Sequence, residues 1–206
     1  MPEAAYTRLD VDERRRRLLE LGTELFTRHS YGELSMAAIA REAGISKALL
    51  YHYFPSKRDF FVATLARAAD ELRARTEPDP SKPALEQLTG SLDAYLELID
   101  ENAASYEKLI ESATTVAEVR ELVDDVRERT AQRILAGIVP DGGPPPTVRA
   151  AVRAWLWFMD GACLDWVRER DMEREQLRGL LLGTLMGALV AAGGEDILRR
   201  LNAEAG

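Results

Sequence analysis

All nine prolines fall in four places: at Pro2, at Pro55, within residues 76–83 and within residues 137–147. Proline lacks the N–H that a helix interior needs, and its ring clashes with the preceding turn. The long stretches between these sites are therefore free to be helical. Their composition points the same way. Alanine and leucine supply 57 residues and valine and isoleucine 18, a ratio that favours helix over strand. There is no internal repeat and no alternating β-branched run that would call for a sheet. An all-α fold is expected, with helices joined by short loops and packed as antiparallel neighbours.

Helix ends are legible in several places. Asp10 with Glu13 reads as a capping box opening the first helix, whose apolar positions Leu18, Leu21, Leu25 and Phe26 carry it to about Gly32. Ser35 reads as the N-cap of a short second helix, with Leu34 and Ile39 forming a hydrophobic staple and Gly44 ending it. A third short helix runs over residues 46–54, with Leu50 and Phe54 inward. A fourth starts at Ser56 and runs toward Thr76. Further helices follow on the Leu85, Leu88, Leu92, Tyr95, Leu96, Ile99 stripe, on Tyr106, Leu109 and Ile110, and after a Thr115/Glu118 capping box. Two long ones close the chain, from the 144–146 proline run to about Arg170 and from about Glu173 to Ala192.

Several function classes drop out. One cysteine, Cys163, allows no intrachain disulfide and no cysteine-based metal site. His29 and His52 are the two histidines and suggest no zinc site. No metal and no cofactor are expected. The longest uncharged apolar stretch, residues 179–194, has 16 residues, and a membrane span wants roughly 20. Arg14 to Arg17 lead into a mixed helix rather than an apolar leader segment. A cytoplasmic protein without a membrane partner is expected. A Gly-rich phosphate loop, a His-Glu-x-x-His pair and a nucleophile elbow are all missing, so catalysis is not expected.

Two short helices joined by a tight turn at Gly44-Ile45 have the geometry of a helix-turn-helix. In such a unit the first helix braces the second, and the second offers its N-terminal end and outer face to the major groove of DNA. The outer face here carries Lys47, Ala48, Tyr51 and His52. Ser35 and Ser46 stand at helix starts, where N–H groups and hydroxyls meet phosphate. Lys57 opens the next helix, placed for another phosphate. The run Arg14 to Arg17 is either a solvated face or a further phosphate contact.

Residues 35–57, SMAAIAREAGISKALLYHYFPSK, resemble the DNA-binding signature of the tetracycline-repressor (TetR/AcrR) family, over about the first third of the chain. The resemblance implies an all-α homodimer: an N-terminal helix-turn-helix domain, residues 1–60, joined to a C-terminal helical ligand-binding and dimerisation domain, residues 61–206. It implies base-facing roles for Lys47, Ala48, Leu49 and His52, and phosphate-contacting roles for Ser35, Ser46, Tyr51, Tyr53 and Lys57. It departs from the family in Ser35 where threonine is frequent, in Ala48 where glycine or serine is, and in Leu49 where a polar residue is. The implied function is a repressor released from a pseudo-palindromic operator by a small, mainly hydrophobic effector. The alternative is an all-α ligand-binding adaptor that does not bind DNA.

Ala154-Trp155-Leu156-Trp157-Phe158-Met159 is apolar on every side, so its helix is buried on more than one face. One reading makes it core plus dimer interface. The other lets Trp155, Phe158, Met159, Cys163 and Trp166 line a ligand cavity together with Tyr95, Ile99 and Tyr106. Asp160 in this setting pairs with a cationic ligand or makes a structural hydrogen bond. Gly179, Gly183 and Gly187, every fourth residue, with Leu185 beside them, read as a groove where two helices of a dimer approach closely.

A net charge of −8 speaks against a simple nucleic-acid coat protein, but the charge is unevenly spread. Residues 1–60 hold 10 basic and 9 acidic side chains, and residues 61–206 hold 17 and 26. The acidity belongs to the body, and the DNA-reading head is mildly basic.

Overall fold

A computed structural model describes residues 3–139, 143–197 and 199. These residues form nine α-helices and no strand. They are α1 (Glu3–Arg28), α2 (Met36–Glu42), α3 (Lys47–Tyr53), α4 (Lys57–Arg75), α5 (Ala84–Glu101), α6 (Ala103–Thr115), α7 (Ala117–Ile138), α8 (Pro146–Glu169) and α9 (Arg174–Ala191). The prolines sit where the spacing requires. Pro55 separates α3 from α4, Pro83 is the N-cap of α5, and Pro146 opens α8 at its first position, where no N–H is needed. No helix of the described residues is long and apolar enough to cross a membrane.

Two hydrophobic clusters organise the chain. The first joins Leu25, Ile39, Leu50, Phe54, Phe60 and Phe61. It does not stop at residue 60, because Val119 and Val123 of α7 complete it. Here α1 crosses α4 at Gly22. A Cβ at that position would run into the side chains of Thr64 and Phe60, so glycine sets how closely the two helices approach. The second cluster holds Leu92, Leu96 and Ile99 of α5 against Val148, Val152, Trp155 and Cys163 of α8 and Leu177, Leu181, Leu185 and Leu189 of α9. The buried indole N–H of Trp155 donates to the Leu181 carbonyl at 2.8 Å, pinning α8 to α9.

α4 belongs to both halves. Phe60 and Phe61, in its first turn, are core of the first cluster. Its later residues, Ala69 and Leu72, face a cavity in the second half. Its N-cap Ser56 accepts from the Asp59 N–H at 3.1 Å and donates to the Asp59 carboxylate at 2.7 Å.

Two expected caps are not used. α1 begins at Glu3, so Asp10 lies within the helix, and Glu13 instead takes Arg16 and Arg17 one turn on. Thr115 closes α6, and the N-cap of α7 is Val116, with no side-chain cap. Glu118 pairs with Arg58 of α4.

Candidate nucleic-acid interface and effector cavity

α2 and α3 have seven residues each, too few to hold as isolated helices. Each carries its own cap. Ser35 Oγ accepts the Ala38 N–H at 3.2 Å, and Ser46 Oγ accepts the Leu49 N–H at 3.1 Å. Between them Gly44 has φ +65°. Its N–H donates to the Arg41 carbonyl at 3.1 Å, and that of Ile45 to the Ala40 carbonyl at 3.0 Å. This pair of bonds closes a helix only when the residue between is left-handed.

Leu50, fully buried, and Phe54 anchor α3 to the head, with Phe54 meeting Phe60 edge-on at 5.0 Å. That leaves Ser46, Lys47, Ala48, Tyr51 and His52 exposed, with Leu49 and Tyr53 half-buried beside them. Lys47 Nζ lies 5.7 Å from the centre of the Tyr51 ring. A cation, a phenol and an imidazole thus stand on the outer face of a braced helix, the face that a helix-turn-helix unit offers to a major groove. The two serine hydroxyls accept at the caps, which leaves their own protons available to donate.

Behind the head lies a cavity of about 780 Å³, within the range of small-molecule sites. Its walls come from α1 and from α4 to α8. Most of the lining is apolar, including Leu72, Leu88, Leu92, Ile134 and Trp155. One end is polar. There the Tyr95 hydroxyl stands 3.4 Å from the Tyr106 hydroxyl and 3.4 Å from Asp160 Oδ1, and Tyr106 Oη stands 3.3 Å from the same oxygen. Asp160 Oδ2 accepts from Arg127 Nε at 2.7 Å and lies 2.7 Å from Nη2. Arg127 Nη1 donates to Asp124 at 2.7 Å, and the guanidinium lies 3.8 Å from the centre of the Trp157 ring. Burial pushes both tyrosine hydroxyls well above their ordinary range, so they remain protonated donors. Burial raises the Asp160 carboxyl as well, with Arg127 pulling the other way.

The cavity is tied to the head. The Ser105 and Thr27 hydroxyls are 2.5 Å apart, and Lys108 Nζ donates to the Thr27 carbonyl at 2.6 Å. Both tethers leave α6, the helix that brings Tyr106 to the polar end.

Residues 18–64 match the family model described as bacterial regulatory proteins of the tetR family, and residues 85–188, half of the chain, match that of the tetracyclin repressor-like C-terminal domain. The chain belongs to the tetR family. Among curated relatives, the HTH-type transcriptional activator FasR of Mycolicibacterium smegmatis is 32% identical over 111 residues, 51% of this chain and 49% of that protein. The HTH-type transcriptional repressor KstR of Rhodococcus jostii is 26% identical over 149 residues, 70% of each chain. The match thus spans about half of FasR's length and over two thirds of KstR's. The crystal structure of a tetR-family transcriptional regulator from Streptomyces coelicolor superposes with a TM-score of 0.83 at 29% identity, over 94% of this chain and 90% of that one. As a tetR-family protein, the chain is a DNA-binding transcriptional regulator.

Against this frame of helices the expected site residues separate. Ser35, Ser46, Lys47, Ala48, Tyr51 and His52 are all on the exposed side of the tetR-type head. Lys57 is a correction. Its ammonium donates to the carbonyls of Tyr31 and Leu34, both at 2.9 Å, and lies 4.2 Å from the Tyr31 ring centre. Two of its three protons are thus spent on the loop before α2, and it braces that loop instead of pointing outward. Of the arginine run, Arg16 and Arg17 pair with Glu13, and Arg15 lies 5.4 Å from the Phe54 ring centre.

Tyr95, Ile99, Tyr106, Trp155 and Met159 line the cavity. Phe158, Cys163 and Trp166 do not, which corrects their expected place. A helix turns about 100° per residue, so Phe158 leaves the face of Trp155 and Met159 and is exposed on the outside of α8. Cys163 sits in the core, where burial pushes its thiol up, and the Trp166 indole donates to the Met172 carbonyl at 2.9 Å under the α8–α9 loop. Leu185 is a third correction. It is buried with Leu177, Leu181 and Leu189 inside the same chain, on the face of α9 away from Gly179, Gly183 and Gly187, which are exposed. Sequence reasoning singled out Asp160 but missed Arg127. The available signal was the general one, that a buried carboxylate demands a cation. It missed Ser105 and Lys108 as well, since nothing local marks a tether to a residue on another helix.

Proposed function

We propose that this protein is a cytoplasmic, homodimeric repressor that leaves a pseudo-palindromic operator when a small, mainly apolar molecule enters the cavity. In this reading residues 1–60 are the DNA-reading head and residues 61–206 the effector-binding and dimerisation body, and the chain works by binding without catalysis. Lys47, Ala48, Leu49 and His52 read bases, while Ser35, Ser46, Tyr51 and Tyr53 hold phosphates. The observation that carries the reading is the shared wall. α6 supplies Tyr106 to the cavity and, through Ser105 and Lys108, holds the last turn of α1. A molecule that shifts α6 or α4 re-aims the head.

The dimer is built from the outer faces of α8 and α9. Trp157 is 61% exposed there, and Phe158, Leu180 and Val190 are exposed with it, beside a glycine strip that offers no side chains. Two copies joined on this face by a two-fold axis place two heads on one side of the duplex, and a two-fold protein reads a two-fold site.

The test has two steps. Selection from random DNA yields the operator, and mass spectrometry of the native protein yields the small molecule that copurifies. Adding that molecule must lower operator affinity, and operator must lower affinity for the molecule by the same factor, since the coupling is reciprocal. Equal affinities with and without operator would refute the repressor-release mechanism.

A further inference from the structure

The polar end of the cavity has a definite chemistry, and it limits the head group that can sit there. Tyr95 Oη, Tyr106 Oη and Asp160 Oδ1 form a triangle with sides of 3.3 to 3.4 Å. Hydroxyl hydrogen bonds settle near 2.7–2.8 Å, so these three oxygens hold one another loosely and have capacity for a fourth partner. Three of the five N–H donors of Arg127 are already engaged. Nε and Nη2 are committed to Asp160 and Nη1 to Asp124, and its face lies against Trp157. Arg127 and Asp160 form an ion pair at this end.

A carboxylate placed at the triangle would face Asp160 Oδ1, an acceptor of like charge with no proton to give. A quaternary ammonium has no proton to donate, and it would meet the field of Arg127 behind the carboxylate. Each would also lose its hydration on entering an apolar cavity. A hydroxyl fits the triangle. It accepts from one tyrosine O–H and donates its own proton to Asp160 Oδ1, replacing one stretched bond with two of ordinary length, and no charge is buried. The apolar part of the lining, with Leu88, Leu92, Ile134 and Trp155, suits an extended apolar remainder.

The geometry points to an effector that is an uncharged, mainly apolar alcohol, with its hydroxyl held by Tyr95, Tyr106 and Asp160 and the apolar part along α4, α5 and α7. This rests on the proposal that the cavity is the effector site, and it names the chemistry of that site.

The test uses the full-length protein and three probes of one chain length: 1-decanol, decanoate and decyltrimethylammonium, each kept below its aggregation limit. Binding is followed by calorimetry. 1-Decanol should bind at least about tenfold more tightly than either charged probe. Tyr95→Phe and Tyr106→Phe keep the rings and remove the hydroxyls. Each should weaken 1-decanol binding by about three- to tenfold and leave the charged probes unchanged. If a charged probe binds as tightly as the alcohol, or if both variants bind 1-decanol like the parent, the hydroxyl assignment is overturned while the cavity remains an effector site. If no probe binds even near its solubility limit, the cavity is not a site for such molecules, and the assignment falls with it. A melting curve of each variant, unchanged from the parent, shows that the affinity losses are not losses of fold.

Discussion

Lys108 donates a hydrogen bond of 2.6 Å to the main-chain carbonyl of Thr27, 81 positions earlier in the chain. Beside it the Ser105 hydroxyl meets that of Thr27 at 2.5 Å. The end of α1 is thereby held by α6, the helix that also carries Tyr106. Removing both tethers with Lys108→Met and Ser105→Ala should loosen the segment that leads into α2. Hydrogen exchange over residues 25–34 should speed up by about ten- to a hundredfold, the effect of losing a charge-assisted bond worth about 1.5–3 kcal/mol. Amides in α8 and α9 should be unaffected. Unchanged exchange in residues 25–34 would show that the tethers carry no load.

Lys47 and Lys57 should behave oppositely. Lys47 is exposed on the outer face of α3. Lys47→Ala should leave the melting temperature in place, weaken operator binding and relax the sequence preference at the base pair it reads. Lys57 holds the Tyr31 and Leu34 carbonyls. Lys57→Met should cost about 2 kcal/mol of stability, read from urea unfolding. A Lys57→Met protein as stable as the parent, with only its salt slope changed, would return Lys57 to the phosphate-contacting group.

Gly183 and Leu185 separate association from folding. A Cβ at Gly183 meets nothing within 4 Å in the chain. Gly183→Leu should therefore leave the fold intact, even favour the helix, yet abolish the dimer in sedimentation. Leu185 is 1% exposed, and Leu185→Ala should cost about 2–5 kcal/mol as a buried cavity. A Gly183→Leu dimer that sediments like the parent would move the interface elsewhere.

The arginines beside Glu13 hold its carboxyl at about 2, down from 4.5, chiefly through hydrogen bonds from Arg16 and Arg17. A carboxyl lowered in the folded state adds stability above its unfolded value, and that contribution is lost as pH falls from 4.5 toward 2. Glu13→Gln should thus be less stable than the parent at pH 7, with the difference vanishing near pH 2. The pair is exposed, so 1 M salt should erase most of the difference at pH 7 as well. A difference that grows on acidification would have the wrong sign for this ion pair.

What the sequence made legible follows from which signals are local. Ser35, Gly44, Ser46 and Ser56 mark helix ends through their own backbone geometry, and the structure uses all four. Asp10 with Glu13, and Thr115 with Glu118, carry an equally good cap signature, but partners elsewhere took the acidic residue. Glu13 went to the arginines that follow it, and Glu118 to Arg58 on another helix. The cavity shows the same limit. An apolar stripe of period 3–4 brought Tyr95 and Ile99 inward on α5. On α8 the segment around Trp155 is apolar all round, so periodicity could not tell Met159, which faces the cavity, from Phe158, which does not. Arg127 lies 33 positions from Asp160, and no spacing rule connects them.

Cys163 has a practical consequence. It is the one cysteine of the chain, wholly buried, with a thiol that burial keeps protonated, so thiol reagents should pass it by. A cysteine introduced at an exposed head position such as Ala37 would then be the single reactive thiol of each subunit. A dimer labelled there with spin probes would carry one probe per head, and the distance between them would read out directly whether filling the cavity spreads the pair.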